Sequence, residues 1–133
     1  MRRLIVLALF LFSASAFAQN ESWFPEPSQN PVASFRLFRT KNIYTLLKLD
    51  TRTGQIWQVQ WSSADNSRFT VSLNRTVLLP AGKPEHPTVL KPGRFTLAPT
   101  ENIFNFILID EEDGRTWQVQ WGDEKERLIL PIE

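Results

Sequence analysis

The sequence predicts an all-β protein: two tandem, pseudo-symmetric, four-stranded antiparallel meander units forming one small barrel or sandwich. Two observations lead there. The chain repeats itself at an interval of 60 residues, and every apolar run within the repeat is short, β-branched or aromatic and broken by Asn, Asp, Gly or Pro. Aligned without a gap, Phe35 to Trp61 and Phe95 to Trp121 share 12 of 27 residues, including a complete WQVQW pentapeptide in each copy. Beyond the second Trp one residue is lost, and Arg68 to Leu73 then matches Arg127 to Ile132. A repeat of this length marks a supersecondary unit that needs its neighbour to bury a core.

Taken in order, residues 1–18 read as a signal peptide. Arg2 and Arg3 precede the apolar run Leu4 to Phe12, and small residues at Ala16 and Ala18 set a cleavage site before Gln19. That run is shorter than the ~20 residues a membrane span needs. A mature, periplasmic or secreted chain of about 115 residues is expected, enough for one domain. With no Cys, no disulfide can staple it. Residues 19–32 form a Pro-rich tail in which Trp23 and Phe24 are apolar anchors.

Unit 1 covers residues 33–75, with strands expected near 34–40, 42–50, 54–61 and 68–74. A connector at 76–92 holds His86 and an edge strand at Thr88 to Leu90. Unit 2 covers 93–133, with strands near 94–98, 102–110, 114–121 and 127–132. The repeats 33–133 make one domain. Asp50 with Gly54, and Asp110 with Gly114, suit a tight turn in which the carboxylate accepts from turn amides and Gly takes positive φ.

If the loop has four residues, Asp50 pairs with Gln55, Leu46 with Val59 and Tyr44 with Trp61; a three-residue loop with a bulge shifts these partners but keeps Trp57, Val59 and Trp61 on one face. One face then carries Trp57, Val59 and Trp61, and in the second unit Phe104, Phe106, Trp117, Val119 and Trp121; this apolar face is the expected core. The other face is mixed. Its polar row, Thr45, Gln58 and Gln60 with Asn105, Gln118 and Gln120, is the expected ligand-binding set. The four Trp also suit stacking on a sugar ring, but their aliphatic neighbours favour a core role.

No catalytic residue, metal site or cofactor is expected. The chain has no Cys, its one His stands in the Pro-rich connector, and no Ser sits in a nucleophile elbow. Asp50 and Asp110 are read as turn caps in preference to a hydrolytic pair. Without Arg2 and Arg3 there are 13 basic and 14 acidic residues, so no basic field draws nucleic acid. Charge divides between the units: seven basic against two acidic residues in 33–75, and four against nine in 93–133. Opposite signs attract either across the internal interface or between molecules head to tail.

The two hairpins, NIYTLLKLDTRTGQIWQVQW and NIFNFILIDEEDGRTWQVQW, resemble those of short exported bacterial proteins of Bacteroidetes type. The resemblance covers both units and implies an exported β-repeat without an assigned activity. Four-stranded repeats are also similar to propeller blades, although two blades cannot close a ring. Three functions follow in order: an exported module binding an envelope or secreted protein (inhibitor, immunity-type or envelope-associated factor), a glycan-binding module able to oligomerise, and a small envelope-polymer hydrolase.

Overall fold

A computed structural model describes residues 30–74, 77–78 and 89–133. The leader, the anchors Trp23 and Phe24, and His86 lie outside the described residues. Eight strands follow in chain order: β1 Phe35–Arg39, β2 Thr45–Asp50, β3 Ile56–Gln60, β4 Phe69–Ser72, β5 Phe95–Pro99, β6 Asn105–Asp110, β7 Thr116–Gln120 and β8 Leu128–Ile132, with a short 3-10 turn at Asp65–Ser67. They form two antiparallel meanders, β1-β2-β3-β4 and β5-β6-β7-β8. Val89 and Leu90 are exposed and belong to no strand.

Register follows the turns. Asp50 N–H donates to Gln55 O at 2.9 Å, and Gly54 N–H to Asp50 O at 3.0 Å, with Gly54 at φ 75°. Asp110, Arg115 and Gly114 repeat this geometry, Gly114 at φ 77°. Only Gly accepts such a φ without strain, which accounts for its recurrence. With the loop length set, Leu46 pairs with Val59, Thr45 with Gln60 and Lys48 with Trp57; Phe106, Asn105 and Leu108 pair with Val119, Gln120 and Trp117. The preceding turns also match. Thr40 Oγ1 donates to Asn42 O and Thr45 O, as Thr100 Oγ1 does to Asn102 O and Asn105 O.

The sheets do not close into a barrel. β1 and β4 are the edges of the first sheet and β5 and β8 those of the second, and among the described residues none of these edges pairs with the other sheet. The sheets instead layer over one core, in which Leu47, Leu49 and Ile56 from the first meet Phe95, Leu97, Phe106, Leu108, Trp117, Val119 and Trp121 from the second. Phe38, Leu73, Leu78 and Ile129 pack around it.

Those lists come from unlike faces of the repeat. The first sheet buries its amide face, the side of Thr45, Leu47, Leu49, Ile56 and Gln58; the second buries its tryptophan face. Core status for the tryptophan face was expected in both units and holds in one. Phe35 is 50% exposed and Phe95 0%; Trp61 is 49% exposed and Trp121 3%. Trp57 and Val59 are half-buried where Trp117 and Val119 are buried, and Phe104, flanking the core, is 41% exposed. One interface takes one face from each sheet, so duplicates stacked in the same sense bury unlike faces and leave one of each open.

Candidate functional site

The first sheet's amide face meets the second sheet's Trp121 end, and between them opens a cleft of about 370 Å³. Thr45, Gln58 and Gln60 line it from unit 1, opposite Phe104, Trp121 and Arg127. The strand register places the three polar residues together, because Thr45 pairs directly with Gln60 and Gln58 follows two residues back on the same side of β3. Asn105, Gln118 and Gln120 do not join them. They lie on the outer face of the second sheet, the side turned away from the core.

Hydrogen bonds orient the amides. Gln58, 4% exposed, accepts at Oε1 from Gly122 N–H at 3.1 Å and from Arg127 Nε at 3.4 Å. Two donors on one oxygen settle which end of the amide is which, and they leave Nε2 without an acceptor among the described residues. Arg127 Nε also donates to Gly122 O at 2.8 Å. Thr45 Oγ1 donates to Gln60 Oε1 at 2.9 Å, so a second amide presents Nε2 beside the first. The site can therefore offer two amide donors, a guanidinium, the carboxylates of Asp123 and Glu126 and the exposed ring of Phe104.

A second surface is the open tryptophan face of unit 1. Phe35 packs on Trp57 with ring centroids 6.4 Å apart, and Tyr44 on Trp61 at 5.4 Å. Trp61 donates from Nε1 to Ile43 O at 2.8 Å, which holds the half-exposed indole in place. Trp121 makes the same bond to Ile103 O. Lys48 Nζ stands 4.5 Å from the Trp57 ring centroid, a cation over a π face at the position held by Leu108 in unit 2.

Asp50 and Asp110 are buried in their turns. Asp50 accepts from Arg52 N, Nε and Nη2; Asp110 accepts from Glu112 N, Arg94 and Arg115. Burial pushes the Asp110 carboxyl up, but the hydrogen bond from Arg94, the Glu112 amide, the charge of Arg94 and the hydrogen bond from Arg115 outweigh it, holding the group below the usual carboxylate range. Arg94 and Arg52 are held above theirs by the same pairings. A carboxylate fixed in its ionised form is a poor general acid.

Sequence reasoning missed Thr51 and Asn74. Fully buried Thr51 donates from Oγ1 to Ala33 O at 2.7 Å and accepts from Gly93 N–H, while its carbonyl accepts from Phe95 N–H at 2.8 Å. It clasps the entries of both units, and no repeat signal marks it, because its counterpart is Glu111. Asn74 is buried as well: Oδ1 accepts from Ile56 N–H at 2.8 Å and Nδ2 donates to Gly54 O at 3.2 Å. Compared with family models, curated proteins and solved structures, the chain matches none of them.

Proposed function

We propose that the protein is an exported, non-enzymatic binding module that engages a protein partner of the periplasm or envelope through the tryptophan face of its first sheet. One observation carries the reading: Phe35, Leu37 and Trp61 stand exposed where Phe95, Leu97 and Trp121 are core. A contiguous apolar sheet face with aromatic anchors suits a folded partner, because it gains area with little loss of side-chain entropy. Arg39 and Lys48 on that face, with Arg52 close to the Phe35 ring, favour an acidic partner surface. Export is supported by the leader read at 1–18, and a non-enzymatic role by the engagement of both repeated carboxylates in turn bonds.

The test compares the mature chain with Leu37→Asp for capture of acidic envelope proteins at rising salt. Capture by the parent that weakens with salt and is lost in the variant is the expected result. Equal capture by both chains would overturn the assignment.

A second reading is favoured by the cleft, where Thr45, Gln58 and Gln60 gather beside Phe104. Amide donors next to an aromatic ring are what a short glycan needs. Under this reading, calorimetric titration with oligosaccharides gives saturable heat that Gln60→Ala abolishes.

A further inference from the structure

We infer that the open tryptophan face of the first sheet docks on the open amide face of the second sheet in another copy of the chain, so that molecules join head to tail. This rests on the reading of that face as protein-binding and names its partner. The contact needs no new design, since the chain already makes it once, between its own two units. Each unpaired face is the repeat counterpart of a face whose cover is seen.

Specific contacts of the internal interface carry over by position. Gln58 accepts there from Gly122 N–H and Arg127. Its counterpart Gln118 donates from Nε2 to Asn105 Oδ1 at 3.1 Å, and no donor reaches its Oε1 among the described residues. The counterparts of Gly122 and Arg127 are Ser62 and Arg68, the second confirmed by register, since Gln60 pairs with Phe69 and Gln120 with Leu128. Ser62 N–H and Arg68 of the next copy are thus the donors that Gln118 lacks.

Two further positions agree. Lys41 Nζ donates to Glu101 O at 2.9 Å, and these two residues are repeat counterparts, so corresponding loops stack directly. Glu101 of one copy then meets Lys41 of the next. The ring of Phe95 lies against Gly54, with ring atoms 3.1 Å from where a Cβ would stand, whereas no described residue lies within 4 Å of that place at Gly114. That place is where Phe35 of the next copy would sit.

Charge selects this mode over a two-fold dimer. Unit 1 carries net +5 and unit 2 net −5, so every contact in a head-to-tail series joins opposite signs, as the internal one does. Pairing two first sheets would bring Arg39 and Lys48 against their own copies. Such a heterologous contact yields a ring where its rotation closes and a filament where it does not. Lys48, in place of Leu108, puts a charge in the middle of the external contact that the internal one lacks, which makes association reversible.

The experiment is sedimentation of the mature chain across concentration and salt, alone and as variants. The parent chain is expected above monomer mass, as a fixed ring or a species growing with concentration, and smaller at high salt. Leu37→Asp blocks one face and Leu130→Asp the other; each is expected to be monomeric alone. Mixed, they form a dimer and nothing larger, because each keeps one complementary face. Both replaced side chains are about half exposed, at 43% and 52%, and Ser72→Asp with Ala98→Asp repeats the test on the same faces. A parent chain monomeric throughout, or a mixture that stays monomeric while the parent associates, would overturn the inference. If the monomeric parent still captures an acidic envelope protein and Leu37→Asp does not, self-association alone fails and the protein-binding reading stands.

Discussion

The ring of Phe95 lies against the α-carbon of Gly54, close enough that a Cβ there would stand 3.1 Å from two ring atoms. Gly114 has the same turn and nearly the same φ, but no described residue lies within 4 Å of the matching place. Gly114→Ala is therefore expected to cost about 1 kcal/mol, the price of a left-handed L-residue. Gly54→Ala adds overpacking against a buried aromatic and is expected to cost about 2–4 kcal/mol in all. Urea unfolding of the two variants checks the order, which reverses only if the sheets do not pack through Phe95.

Trp61 and Trp121 make the same indole hydrogen bond and the same aromatic contact, at 5.4 Å to Tyr44 and 5.2 Å to Phe104. What separates them is cover. Trp121→Ala is expected to destabilise the chain by about 3–5 kcal/mol, and Trp61→Ala by about 1–2 kcal/mol from the lost hydrogen bond and ring contact. Iodide should quench Trp61 and spare Trp121 in single-Trp comparisons of the monomeric Leu130→Asp background.

Gln58→Ala removes the side-chain acceptor that Gly122 N–H and Arg127 share across the core, at an expected cost of about 1–3 kcal/mol. Gln118→Ala leaves the second sheet's outer face short of one exchange with Asn105 and is expected to cost less than about 1 kcal/mol in a monomer. Thermal unfolding of both reads the asymmetry.

Asp110 ties stability to pH. Its folded carboxyl titrates below the unfolded value of about 3.9, so its contribution is complete above pH ~5 and is lost as pH falls through the unfolded and then the folded value. The parent chain should therefore lose stability on acidification, and Asp110→Asn should show a flatter profile. At neutral pH that variant takes the buried charge away from Arg94, which keeps Glu112 and Asp113 as partners, and is expected to be about 1–3 kcal/mol less stable. An unchanged acid profile in Asp110→Asn would place the acid sensitivity elsewhere.

Lys48 guards the open face. Replacing it with Leu, the residue type at 108, should strengthen self-association about 10-fold or more and reduce its salt dependence. Sedimentation at matched concentrations measures this directly.

Much of the site's local structure is legible in the sequence. Asp50, Gly54, Asp110 and Gly114 announce the turns, and the loop length then decides that Leu46 meets Val59 and Thr45 meets Gln60. Gathering Thr45 with Gln58 and Gln60 follows from the two-residue period of a strand. The gathering of all six polar residues does not, since Asn105, Gln118 and Gln120 lie beyond the second sheet. Thr51 was illegible for a related reason: its bonds run to Ala33, Gly93 and Phe95, distant in sequence, and its counterpart Glu111 has no hydroxyl to repeat them.

The sequence by itself determined the duplication, the two four-stranded meanders and which residues share a face, because repeat length, turn chemistry and side-chain alternation are local properties. Only the tertiary structure decided which face of each meander is core. WQVQW is identical in both copies, yet Trp121 is buried and Trp61 half exposed, because burial depends on the sheet lying opposite and not on the strand itself. Two units stacked in one sense share a single interface, so identical strands meet different surroundings.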